Sequence, residues 1–214
     1  MSKIKKDVLL IRHGQGDHNK LFYENRMEEG LALRDPALNE VGVKQATNLG
    51  IQLKKQLLES KFDLELIITS PMRRALLTTD HVFGKLPPYP VLVSPIPTEM
   101  GHGGCDYGSS KTVLTRDFPH HDFTHVESEE WWTEEESQEH LEQRVEEFKE
   151  FLNSRPETRI AVVSHGRFLT QLMEIDQFCS FANCDCKQVT LGGDGVVSDP
   201  GEIFIRVDKM WKPY

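Results

Sequence analysis

The chain has 214 residues, 38% of them hydrophobic and 28% charged, which is enough for one buried core of ordinary globular composition. Its net charge of -9 excludes the basic stripes that a nucleic-acid partner requires, and no apolar run reaches the roughly 18 residues that cross a bilayer. The basic start, residues 1–6, leads into only a short apolar stretch, which predicts a first strand rather than a signal peptide and hence a cytoplasmic location.

In chain order, residues 8–11 form an apolar run that ends close to Gly14 and reads as a fully buried strand. Asn39 can cap a helix whose apolar stripe is Ala46, Leu49, Leu53 and Leu57. A second buried strand follows over 64–69, and Pro71 suits the first turn of a helix over 72–83. Residues 91–93 make a short third strand. Residues 100–135 are irregular and rich in Gly, His and acid, with Trp131 beside Trp132. Ser137 opens a long helix with Leu141, Val145, Phe148 and Leu152 on its inner face. A fourth strand over 159–164 ends at a glycine, 167–173 turns helical, and 189–191 and 203–207 read as later strands. This alternation predicts an α/β fold: one domain with a mostly parallel sheet sandwiched by helices, and an inserted lobe around residues 100–135.

The four cysteines are Cys105, Cys179, Cys184 and Cys186. The last three lack the paired Cys-x-x-Cys spacing of a zinc knuckle, so reduced, partly buried thiols are expected.

Position along the strands carries the functional information. Arg12-His13-Gly14 follows the first strand, Ser70 to Arg74 the second, Glu99 the third and His165-Gly166 the fourth. Ligands of open α/β sheets bind outside the carboxyl ends of the strands. Two histidines, two arginines and a carboxylate are therefore expected to share one cleft.

The same segments carry a resemblance. Arg12-His13-Gly14, Ser70-Pro71-Met72-Arg73-Arg74-Ala75 and Ser164-His165-Gly166 resemble the histidine phosphatase superfamily, clade one, the phosphoglycerate mutase-like group. Asp35 to Gly42, followed by Gln45-Ala46, is similar to that family's approach to its first long helix. The likeness spans residues 8–170 and implies a metal-independent phosphatase, with no cofactor, that passes through a phosphohistidine on His13. One ring nitrogen of His13 would attack phosphorus while a backbone carbonyl holds the other N–H. Arg12 and Arg74 would grip the equatorial oxygens through paired donors, and His165 would supply a further donor. Asn19 matches a phosphate-binding position of the family. Of the adjacent pair Arg73 and Arg74, which diverge on a helix, the resemblance puts Arg74 in the pocket.

An alcohol leaving group needs a proton. Glu99 is the favoured general acid and Asp106 the reserve. The remaining histidines of the irregular segment, His102, His120, His121 and His125, read as solvated loop residues, with metal ligation as the alternative. The acidic run 127–139 reads as a solvated helix lead-in, and the tryptophans as lobe core.

A cofactor-dependent phosphoglycerate mutase or bisphosphatase is the main alternative. It calls for extra basic residues, and few lie between Glu99 and His165. A metal-dependent hydrolase built on the histidine-rich loop and a non-catalytic phospho-binding domain are the other readings. The expected partner is a small phosphoester; sugar phosphates, bisphosphoglycerate, nucleotides and phosphopeptides all remain open.

Overall fold

Residues alternating between two apolar faces build the sheet. In the computed structural model, which describes residues 5–84, 86, 88–175, 181–198 and 203–207, the first strand is β1, Lys6–Arg12. Leu9 and Ile11 point into one hydrophobic cluster, Val8 and Leu10 into another, and all four are at most 1% exposed. A strand buried on both faces needs no polar alternation, which is why it reads as an unbroken apolar run.

Three more strands lie parallel to it: β2, Leu66–Thr69; β3, Val91–Val93; and β4, Arg159–Ser164. β5, Cys186–Leu191, pairs antiparallel with β1 and carries β6, Val197–Ser198, and β7, Phe204–Ile205. The sheet order is β3-β2-β4-β1-β5-β6, with β7 also paired to β5. The expected mostly parallel sheet is therefore present.

Helices cover both faces. α3, Glu40–Ser60, begins at Asn39, whose side chain accepts from Gly42 N at 2.9 Å. With α4, Arg73–Phe83, it buries Ala46, Leu49, Leu53 and Val82 on the Leu9 side. α6, Gln138–Ser154, capped by Ser137, and α7, Gly166–Leu172, bury Leu141, Val145, Phe148 and Phe168 on the Leu10 side. The expected elements thus recur with small shifts at their ends. α4 starts at Arg73 because Met72 is extended (φ -65°, ψ 135°), and β5 starts three residues before the apolar run.

Three short helices have no clear counterpart in the apolar pattern: α1, Asp17–Tyr23; α2, Met27–Ala32; and α5, Lys111–Asp117. α5 belongs to the inserted segment. There Leu114, Phe118, Phe123 and Val126 pack on Leu76 and Val93, with Trp131 half-buried against them. No described helix is long and apolar enough to cross a membrane.

Strand register positions the chemistry. Ile11 pairs with Val163, Val163 with Thr69, and Thr69 with Val93. The four parallel strands end level, so the segments that follow them emerge along one edge.

Candidate active site

His13 leaves β1 held from several sides. Its backbone N donates to Ser164 O at 2.9 Å, and its carbonyl accepts from Cys184 N at 3.2 Å and Asn183 Nδ2 at 3.1 Å. Its Nδ1 lies 2.7 Å from Gly14 O. A carbonyl only accepts, so the ring proton sits on Nδ1 and the lone pair on Nε2. Gly14 N in turn donates to Thr78 Oγ1 at 3.0 Å, tying this turn to α4. A Cβ on Gly14 would meet Gly42 O at 2.7 Å, so the turn requires glycine. Burial, then the charges of Arg74 and Arg12, push His13 well below the ordinary histidine value. The imidazole is neutral at pH 7, as a nitrogen nucleophile must be.

Arg74 is 1% exposed. Its Nη1 donates to Cys105 O at 2.6 Å, its Nη2 to Asp106 Oδ1 at 3.0 Å and its Nε to His165 Nδ1 at 3.3 Å. Arg73 turns away: its side chain reaches Ser109 and Asp117, and its backbone N bonds Asp35. Arg12 Nη1 donates to Phe181 O at 2.7 Å, while its buried Nε has no hydrogen-bond partner among the described residues. Asn19 Oδ1 accepts from Gly16 N at 3.0 Å, which leaves its amide nitrogen as the donor end.

Arg12, His13, Asn19, Arg74, Glu99 and Asp106 all line one cavity of about 750 Å³. His165 does not. It is fully buried behind His13, ring centroids 5.0 Å apart, with Nε2 2.8 Å from Ser70 Oγ. Because Nδ1 accepts from Arg74, the proton sits on Nε2 and is donated to Ser70. Burial and the Arg74 charge push His165 well below the ordinary value. The ring therefore stands neutral between Arg74 and Ser70.

The two carboxyls differ. Glu99 Oε1 accepts from Met100 N at 3.0 Å and from Arg167 N at 3.2 Å. Asp106 is paired to Arg74. Burial pushes it up to about 6, partly opposed by the Arg74 charge.

Three positioning or lining residues were not singled out by the sequence patterns: His18, Thr78 and Asn183. His18 is 4% exposed, sits 5.8 Å from the His13 ring and lines the cavity. Its Nδ1 has no hydrogen-bond partner among the described residues. Only glycine fits at position 16, where a Cβ would come within 2.7 Å of that ring. A glycine two residues before a histidine was the available sequence clue.

Several expectations for the inserted segment need correction. Glu136, within the acidic run, is buried and grips Arg144 through both oxygens at 2.8 and 2.6 Å, because the run turns inward just before α6. His121 is not solvated; its side chain is 3% exposed, packed on Phe118. His120 and His125 are exposed, and exposed His102 lines the cavity. Trp131 and Trp132 line a second, smaller cavity of about 200 Å³ that shares Glu99 and Asp106 with the first. Cys105, Cys184 and Cys186 are buried free thiols, and burial pushes Cys105 up to about 12. Cys179 lies outside the described residues.

Fold and site together define an α/β protein with a cavity built around a strand-end histidine. The sequence matches the histidine phosphatase superfamily (branch 1) over residues 8–179, and the chain belongs to that family. It is 34% identical over 171 residues to a Schizosaccharomyces pombe protein named "Probable phosphatase", covering 76% of this chain and 75% of that one. It is 30% identical to phosphoglycerate mutase-like protein 1 of Arabidopsis thaliana, covering 95% and 89%. Among solved structures, phosphoserine phosphatase of Entamoeba histolytica superposes with a TM-score of 0.56 at 19% identity, covering 94% of this chain and 98% of that one. These neighbours share the mixed α/β fold with a central sheet flanked by helices. Phosphatase names among relatives support a phosphatase, within a superfamily that also includes mutases.

Proposed function

We propose that the chain hydrolyses phosphomonoesters through a phosphohistidine on His13. The observation that carries this reading is the Nδ1–H of His13 fixed on Gly14 O at 2.7 Å, which leaves Nε2 as a lone-pair donor beside Arg12 and Arg74. In the first step Nε2 forms a bond to phosphorus as the ester P–O bond breaks, and Glu99 gives its carboxyl proton to the departing oxygen. In the second step the Glu99 carboxylate takes a proton from water, the resulting hydroxide attacks phosphorus, and the N–P bond breaks. Arg12, Arg74 and Asn19 stabilise the equatorial oxygens in both steps.

Glu99 is chosen over Asp106 because Asp106 already serves Arg74 at 3.0 Å. Hydrolysis is chosen over a mutase because of the cavity wall. A bisphosphorylated intermediate needs a second cationic cradle, whereas the rest of the wall, although it includes Arg167 and His102, is mostly the apolar stretch of Phe22, Tyr23, Met27, Leu31 and Met100. That wall suits a monophosphate with an apolar or aromatic body.

The test is a panel of phosphoesters assayed in EDTA with wild type and His13→Ala, and quenching in alkaline detergent to look for an acid-labile, base-stable phosphoprotein. The variant should lose about 10⁴-fold or more in rate and all label, as removal of a covalent nucleophile does. Equal rates in the two proteins would sink the nucleophile.

A further inference from the structure

Away from the cavity, α4 and the inserted segment bring a second set of reactive side chains together. Asp80 lies in the C-terminal half of α4, and His120 and His121 follow α5. Ligand atoms from the three lie within 4.8 Å of one another. Asp80 Oδ1 is 2.9 Å from Nε2 of His120 and 2.9 Å from Nε2 of His121.

The two contacts are not alike. At His120 the oxygen forms a hydrogen bond with the ring nitrogen. At His121 it lies off the N–H direction, and neither nitrogen of that ring has a hydrogen-bond partner among the described residues. This imidazole is 3% exposed and stacked on Phe118, ring centroids 6.1 Å apart. Leaving a buried polar group unsatisfied costs about 1–3 kcal/mol, so the arrangement calls for a ligand.

An ion supplies one. A cation about 2.1 Å from each donor subtends roughly 90° across a 2.9 Å N···O pair, and widening that pair by about half an ångström gives a tetrahedral site. Two imidazoles and one carboxylate are a borderline donor set, suited to zinc and its first-row neighbours rather than to magnesium or calcium.

We propose that Asp80, His120 and His121 bind a zinc-like divalent cation that fastens the inserted segment to α4. Arg73 and Arg74 tie the start of α4 to Ser109, Asp117, Cys105 and Asp106 of this segment, and the ion would add a second tie near the helix C-terminus. The segment's core against Leu76 and Val93 consists of Leu114, Phe118, Phe123 and Val126, and the neighbouring Asp122 completes backbone bonds to β3. Small cores of this kind gain most from a metal staple. The side chain of His120 is 56% exposed, so the ion enters from solvent and keeps a water ligand. None of the three residues lines the cavity with His13, so the ion is structural.

The experiment uses tag-free full-length protein stripped with EDTA and titrated by calorimetry with zinc, and by visible absorption with cobalt. Wild type, Asp80→Asn and His120→Gln are compared, the last at an exposed position that spares the fold. Wild type should bind one ion and melt higher with zinc; each variant should bind about 100-fold more weakly and lose the shift, as removal of a ligand demands. Excess magnesium should not compete. Absence of saturable binding, or equal affinity in wild type and both variants, overturns the site. Binding without a rise in melting temperature overturns the fastening role.

Discussion

Arg74→Lys keeps the charge and removes the fork, which makes it a sharp test of how the site holds phosphate. The guanidinium reaches three partners at once, Cys105 O, Asp106 Oδ1 and His165 Nδ1, and still has N–H groups left for a ligand. A single ammonium cannot span these partners and also meet an equatorial oxygen. At about 1.5–3 kcal/mol for each charged hydrogen bond, losing two of them costs roughly 3–6 kcal/mol. Part of that loss falls on folding. The part that falls on the transition state should match removal of one preorganised donor, about 3–4 kcal/mol, or a 10²- to 10³-fold drop in kcat. Initial rates on an aryl phosphate, with thermal unfolding measured in parallel, separate the two shares. A lysine variant within about threefold of wild type, at unchanged melting temperature, would refute the bidentate account.

Two further outcomes follow from the carboxyls. Glu99→Gln should slow the phosphorylation of His13 by an ester with a poor alkyl leaving group about 10²-fold or more, and phosphorylation by p-nitrophenyl phosphate much less, because the latter departs without a proton; equal losses in that single-turnover step on both esters would move the acid elsewhere. Asp106, pushed up to about 6, binds its proton more tightly folded than unfolded. Its contribution to stability is therefore full below the unfolded value near 4 and is lost as pH rises through about 6. Denaturant unfolding should show wild type losing about 3 kcal/mol relative to Asp106→Asn between those limits; a difference that stays flat with pH contradicts the buried acid.

The parts that were legible in the sequence share one cause. Strands buried on both faces leave unbroken apolar runs, and level strand ends put His13, Ser70 and His165 along one edge. Once the runs are found, the adjacent residues need no tertiary information. Partners brought in by tertiary contact left no such trace. His18 sits on a seven-residue helix too short to show a period. Asn183 lies 170 residues from the carbonyl it braces, inside a segment whose cysteines drew the eye instead. Glu136 looks like one acid among many until α6 presents Arg144 eight residues on. Asp80 and His120 are 40 residues apart, joined only because the inserted segment folds back over α4.

The buried contacts of Arg74 explain how the site keeps its charge in order. Asp106, Arg74, His165 and Ser70 form one continuous chain of contacts from the inserted segment through α4 to the ends of β4 and β2. The Asp106 carboxylate offsets Arg74, and Arg74 fixes the His165 tautomer by occupying Nδ1. An arriving phosphoryl dianion competes with both acceptors for the Arg74 donors. As Arg74 turns toward it, His165 loses the N–H that kept Nδ1 an acceptor, and the nearby negative charge favours a proton there. On the proposed reading, a phosphoryl dianion that draws Arg74 away would favour the charged form of His165 as a donor, whereas the ring as the structure holds it is neutral. Asp106 offsets the cost of burying the Arg74 guanidinium.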